Sequence, residues 1–273
     1  MKQVEVRSQE DQLVKFIRRC QEIGIADREP TFRDIYGVNE EDLAYLIHQG
    51  GILYRDNVTT MVRVAKLYQA LQFGQVVEGV LKTVEDTYPT GESLVVNIYP
   101  MTPKDRFGIE RLGGVSGWVD WDGHTMGLVV HASPTSLLAL RSTVVHEYHH
   151  HYRIMTTKLG QREIPLIEKL VREGMAEHFV EMLLGQKAHG PWVSALTAEE
   201  AQKLWRARYR GHLQDQGETA DAYVFGGGDT GLPLWAGYSL GYFLVAWYRA
   251  AYPSLPMEEL SRVAAEKFLD TVP

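Results

Sequence analysis

Leu137, Leu140, Val144, Tyr148, Tyr152 and Met155 recur at helical spacing after Pro134. Such a stripe marks an α-helix that buries one side. Set into it is His146-Glu-Tyr-His-His150, which satisfies H-E-x-x-H. Four residues make slightly more than one turn, so His146 and His150 project from a common face and can offer imidazole nitrogens to one ion, with Glu147 beside them. A fold that houses this helix has to bring further ligands to the same face from elsewhere in the chain.

The chemistry these residue types support is hydrolysis. Zinc bound by two imidazoles and a carboxylate lowers the pKa of a coordinated water to about 7. Glu147 is placed to take the proton from that water and deliver it to a departing amine. One zinc per chain is expected, although cobalt, manganese or iron would accept the same nitrogen and oxygen donors. The metzincin continuation needs a glycine and a third histidine where this chain has Arg153 and Thr156, so that class is excluded. Glu173 follows His150 after 22 intervening residues, on the next expected helix, which can fold back antiparallel and complete a His₂Glu set. Glu177, His178 and Glu181 could bind metal on chemistry alone. Gly174 favours Glu173, because a neighbour without a side chain lets two helices approach closely. Glu177, one turn on, either accepts a hydrogen bond from a ligand imidazole and orients it or is a solvated surface carboxylate. His149 points away from the shared face and His151 sits near the apolar stripe, so both are read as structural.

Around this centre the chain reads as α+β and helix-dominated, with a small antiparallel or mixed sheet of about three strands. Residues 10–24 have helical periodicity, and Asn39 followed by Glu-Glu-Asp is a capping residue with an acidic first turn, closed by Gly50-Gly51. Helical spacing continues from Val58 to Tyr88 with a break at Phe73-Gly74, so the first 90 residues are expected to be all-helical. Strands follow at Leu94–Tyr99, Gly117–Trp121 and Gly127–His131, with Asp122-Gly123 as a hairpin turn. Pro165 suits the first turn of the helix bearing Glu173, and Gly185 suits its end. Thr197-Ala-Glu-Glu200 is a capping-box pattern. Gly226–Gly231 reads as a mobile linker before a helix from Trp235 to Ala250, and the last 20 residues carry no clear signal. These divisions predict a helical subdomain over 1–90 and a metallopeptidase domain over 91–273.

Composition narrows the alternatives. Hydrophobic residues make up 45% and charged residues 23%, as in ordinary globular proteins. A net charge of −7 argues against nucleic acid, which wants a basic face. The near-apolar run Leu232–Tyr248 is interrupted by Gly237, Ser239 and Gly241 and is short for a bilayer, so no membrane insertion is expected. The N-terminus has no apolar segment typical of a secretory signal. With Cys20 as the only cysteine, a disulfide or a thiolate cluster is excluded and a reducing cytoplasm fits. Cys20 itself falls in the pattern Leu13, Phe16, Ile17, Cys20 of a core helix. That places it badly for a deformylase-type site, in which a cysteine joins H-E-x-x-H at the metal.

Glu173-Gly-Met-Ala176 after H-E-x-x-H resembles the gluzincin pattern, which implies that Glu173 is the third zinc ligand. More narrowly, His146-Glu-Tyr-His-His-His151, Glu173-Gly-Met-Ala-Glu-His-Phe179 and Gly237-Tyr-Ser-Leu-Gly-Tyr242 resemble the bacterial YjaZ-like family of predicted zinc-dependent proteases. The resemblance spans residues 146–242 and implies a zincin-like fold and a cytoplasmic or cell-associated peptidase acting on a peptide or protein. Such enzymes need a donor for the oxyanion that forms when water attacks a peptide carbonyl. Tyr238 and Tyr242, four apart on one helical face, are the candidates, and aromatic residues at that spacing also serve as core. The strand Gly127–Ala132 could be a sheet edge that pairs with an extended substrate, leaving His131 as a packed residue. Two other readings stay open: a non-catalytic protein in which zinc staples helices, reached if His149, His178 or Glu177 supplied a fourth ligand, and a zinc hydrolase acting on a non-peptide amide.

Overall fold

The structure, a computed structural model, describes residues 4–273. Its elements run β1 (Val4–Arg7), α1 (Glu10–Cys20), α2 (Arg28–Tyr36), α3 (Glu40–Gly50), α4 (Val58–Leu71), α5 (Phe73–Thr87), β2 (Leu94–Pro100), α6 (Arg106–Arg111), β3 (Val115–Val119) and β4 (Thr125–Val130). They continue as α7 (Ser136–Thr157), α8 (Leu166–Leu184), α9 (Ala198–Leu204), α10 (Gly217–Phe225), α11 (Ala236–Ala251) and α12 (Met257–Leu260). The architecture is helix-dominated α+β with a small mixed sheet. The chain forms two compact units, one of residues up to Asp86 with Gly91–Asp120 and His124–Val144, the other of Thr87–Thr90, Trp121–Gly123 and Val145–Pro273.

The first unit holds the sheet, in the order β1-β2-β4-β3. β1, β2 and β4 are parallel, and β3 returns antiparallel on β4 through the Asp122-Gly123 turn. β1 corrects the expectation that the first 90 residues are all-helical. Val4-Glu-Val-Arg is too short to stand out by pattern, and it becomes a strand because Val4 pairs with Leu94 in parallel register. The expected boundary at residue 90 does not coincide with the division of the chain, because the sheet needs strands from both sides of it. β4 has neighbours on both edges, so it is interior and cannot take up an added substrate strand; that expectation is also corrected. Its side chains Met126, Leu128, Val129 and Val130 are fully buried, as in a central strand. Asn39 and Asp42 close a capping box on α3. The break between α4 and α5 lies at Gln72, in the left-handed region at φ 50°, one residue before the expected Phe73-Gly74. Cys20 is buried with Leu13, Phe16 and Ile17 on α1.

In the second unit α8 and α11 pack backbone to backbone. A Cβ on Gly174 would stand 2.1 Å from the Gly241 carbonyl oxygen, and one on Gly241 would stand 2.0 Å from that of Leu170. Gly174 therefore admits α11, and the idea that it brings the Glu173 helix toward the motif helix is corrected. Pro165 is the residue before α8, in extended conformation, and not part of its first turn. Thr197 and Glu200 form the expected capping box, and α9 runs on into a π-helical turn at Trp205–Tyr209. The expected linker at Gly226–Gly231 is a folded turn. Gly226, Gly227, Gly228 and Gly231 all have positive φ, which glycine adopts without steric cost, and the Gly227 N–H donates to Leu232 O. The C-terminal segment is tied in by Arg153, which is completely buried. It forks onto both carboxylate oxygens of Glu168 at 2.8 Å and donates to Ser261 O at 2.8 Å. No described helix is long and apolar enough to cross a membrane.

Candidate metal centre

α7 carries His146, Glu147 and His150 into the interior of the second unit, where all three are buried. One ligand atom from each lies within 4.8 Å of the others, a group that could hold a metal ion. The two imidazoles stand edge to face, with ring centres 4.7 Å apart. α8 supplies the carboxylates. Glu173 brings Oε2 to 3.1 Å from His146 Nε2 and Oε1 to 3.6 Å from His150 Nε2. Glu177, one turn on, reaches His146 Nδ1 at 2.8 Å.

Hydrogen-bond direction decides what this arrangement needs. Glu177 also accepts from the Gly190 N–H at 3.0 Å and the Trp192 Nε1–H at 2.9 Å. It is an acceptor throughout, so the proton on His146 sits on Nδ1. In the neutral imidazole Nε2 is then a lone pair, and it faces a carboxylate oxygen that is also an acceptor. Only a further proton or a cation reconciles the two. Without a metal the proton wins. Burial alone would lower His146, but the Glu173 and Glu177 carboxylates outweigh it and hold its pKa well above the usual histidine range. Burial alone would raise Glu173, yet the charges and hydrogen bonds of His150 and His146 bring it below the ordinary carboxylate value. Two nitrogens and a carboxylate converging in this way fit zinc in donor type and number. Glu147 belongs to the same group but is not drawn into those bonds. Its Oε2 is buried without a hydrogen-bond partner, and burial raises its pKa against the pull of the two histidines.

The flanking histidines are used elsewhere. His149 Nε2 meets Ser261 Oγ at 3.0 Å, and burial, followed by the charges of His150 and Arg153, pushes its pKa well down. His151 Nδ1 donates to Gly123 O at 2.7 Å, and its Nε2 accepts from Thr90 Oγ1 at 3.0 Å. His178 Nε2 donates to Tyr242 O at 3.1 Å, and the Arg249 guanidinium stands 3.0 Å from its Nδ1. His131 lies in the other unit.

The two tyrosines of α11 part company. The Tyr242 hydroxyl donates to Glu181 Oε2 at 3.1 Å while its ring stacks on His178, and burial with that carboxylate raises its pKa to about 12. Tyr238 lies against the Trp192 indole, 5.4 Å between ring centres, and Trp192 lies against His146 at 5.7 Å. Trp192 and Gly190 were not singled out by the sequence. The only local signal is Gly-Pro-Trp shortly after the end of α8, which marks a turn and nothing of what the turn touches.

Fold and site together define an α+β protein in which a buried group of two histidines and a glutamate on α7, faced by carboxylates of α8, could hold a metal ion. Residues 74–270 match the family described as Predicted Zn-dependent protease (DUF2268), and the chain belongs to that family. It is 26% identical to YjaZ of Bacillus subtilis (strain 168) over 136 residues, 49% of this chain and 51% of that protein. It is 24% identical to YjfC of the same organism over 168 residues, 58% of this chain and 52% of that protein. The chain thus spans about half the length of the curated relatives it matches. No solved structure matches it.

Proposed function

We propose that the chain is a zinc-dependent peptidase of the gluzincin type, with His146, His150 and Glu173 as metal ligands and Glu147 as general base. The observation that carries this reading is the convergence of His146 Nε2 and His150 Nε2 on the Glu173 carboxylate, at 3.1 and 3.6 Å, with Glu147 buried beside them. A bound zinc would lower the pKa of a coordinated water and polarise the carbonyl of a substrate. Glu147 then needs to hold and move one proton. Its burial favours the protonated form after it has taken a proton, and its unpartnered Oε2 is available to take it from water and pass it to the leaving amine. Glu177 holds His146 through Nδ1 and so keeps Nε2 turned to the metal. Of the two tyrosines, Tyr238 is the better candidate to polarise the carbonyl, because it lies against Trp192, which in turn lies against His146.

The alternative of a structural zinc staple needs a fourth protein ligand. His149, His178 and Glu177 were the candidates, and each is engaged by Ser261, Tyr242 and Arg249, or Gly190 and Trp192 respectively. That supports a position left for water. The substrate would be a peptide or protein, and a cytoplasmic setting suits the lone cysteine.

The test is metal content of the purified chain beside cleavage of a quenched peptide library, for the parent, Glu147→Gln and Glu173→Ala. The parent should hold about one zinc and cleave. Glu147→Gln should keep zinc and lose about 10²–10⁴-fold in rate, and Glu173→Ala should lose both. Zinc without cleavage, and no effect at Glu147, would establish the staple instead.

A further inference from the structure

Glu177 is 1% exposed, and its three hydrogen bonds come from two parts of the chain. His146 Nδ1 and Trp192 Nε1 both point at Oε1, at 2.8 and 2.9 Å, and the Gly190 N–H points at Oε2 at 3.0 Å. Two of the three donors thus belong to one three-residue turn. That turn is itself built to deliver them. A Cβ on Gly190 would stand 2.2 Å from the Trp192 indole, so the ring folds back over its own glycine and tolerates no side chain there. Pro191 opens a 3-10 turn over Pro191–Ala195. The buried Ser239 of α11 fastens this turn by donating to Val193 O at 2.9 Å and accepting from the Leu196 N–H at 3.1 Å. The indole stands edge-on to the His146 ring, at 78°.

We propose that the Gly190-Pro-Trp192 turn is a positioning clip for the metal centre, with Trp192 as the positioning residue. A buried carboxylate held only by one imidazole can rotate about its own bonds and let that imidazole swing. Two N–H groups from a turn fixed to α11 lock the plane of Glu177, and the locked carboxylate keeps His146 Nε2 directed at the metal. The clip rests on the reading of His146 as a ligand, and it predicts that metal affinity depends on a residue that donates nothing to the metal.

The experiment measures zinc affinity of the full chain by competition with a chromogenic chelator, beside thermal unfolding of the zinc-free protein. Trp192→Phe keeps a ring and removes the N–H; Gly190→Ala displaces the ring; Trp192→His restores a ring N–H; Trp247→Phe, on the far part of α11, controls for loss of an indole. Trp192→Phe and Gly190→Ala should weaken zinc binding by about tenfold or more, while the zinc-free midpoint of Trp192→Phe stays near that of Trp247→Phe. Trp192→His should recover part of the loss. Zinc affinity of Trp192→Phe equal to that of Trp247→Phe, in a parent that binds zinc, overturns the clip alone. A parent that binds no zinc overturns the metal centre and the clip with it.

Discussion

His146 gives its Nδ1 proton to Glu177 at 2.8 Å, and this one bond determines which nitrogen faces Glu173. Replacing Glu177 by glutamine keeps the shape and removes the charge that favours that tautomer. Zinc affinity should fall by about 10–100-fold. Chelator competition measures it, and an unchanged affinity would mean that Glu177 is only a packed carboxylate.

Gly174→Ala should destabilise the protein through α8 and α11. The added methyl meets the Gly241 carbonyl oxygen at 2.1 Å, a backbone atom that cannot turn aside, so the helices must separate. A cost of about 1–3 kcal/mol is expected, as for overpacked cores, read as a lower denaturation midpoint in urea. Gly185→Ala, with no atom within 4 Å of its Cβ but φ at +82°, should cost less and only through backbone strain.

Arg153 and Glu168 form a buried, two-pronged pair. Arg153→Met leaves the Glu168 carboxylate only the longer contact with Arg172 at 3.9 Å and frees Ser261 O, and should cost about 3–5 kcal/mol. Replacing both residues by apolar ones of similar size should recover much of that loss. A double mutant no better than the single would show that the carbonyl bonds of Arg153, and not its charge, hold the C-terminal segment.

His178 makes stability depend on pH. Burial lowers its pKa to about 4, helped by the Arg249 charge and opposed by Tyr242 O and Glu181, with His189 adding to the lowering. The folded state therefore resists a proton that the unfolded chain accepts near pH 6.5. This contribution is flat above that pH and is lost progressively as pH falls from about 6.5 to 4, to an extent on the order of 3 kcal/mol. Zinc-free protein unfolded in urea at stepped pH should show the slope, and His178→Gln should reduce it, the remainder coming from groups such as the buried His149.

The sequence exposed those parts of the fold that depend on neighbours along the chain. The motif helix, the capping boxes at Asn39 and Thr197 and the Asp122-Gly123 hairpin all follow from spacings of a few residues. What depends on distant partners was hidden. Val4–Arg7 is a strand only because Leu94–Asn97 lies beside it, and β4 is interior only because two other strands arrive. Gly174 looked like a spacer for one helix and serves another, since a glycine signals close approach without naming the visitor. Gly226–Gly231 suggested mobility, whereas the glycines are there for positive φ in a closed turn. At the centre, spacing alone left Glu173, Glu177, His178 and Glu181 open, and the resemblance favoured Glu173; the structure brings both Glu173 and Glu177 to His146. The clip of Gly190 and Trp192 was not foreseeable, because nothing local ties that turn to a carboxylate on α8.

His151 holds Thr90 with one ring nitrogen and Gly123 with the other, and both belong to the second unit although they precede it in the chain. During synthesis these two short segments leave the ribosome before Val145 does, so they are already waiting when the motif helix emerges. A fragment begun at Val145 would lack them and leave the buried His151 with neither partner. The unit that bears the candidate metal site is therefore inherited in pieces, and cutting the gene at its main segment would not reproduce it.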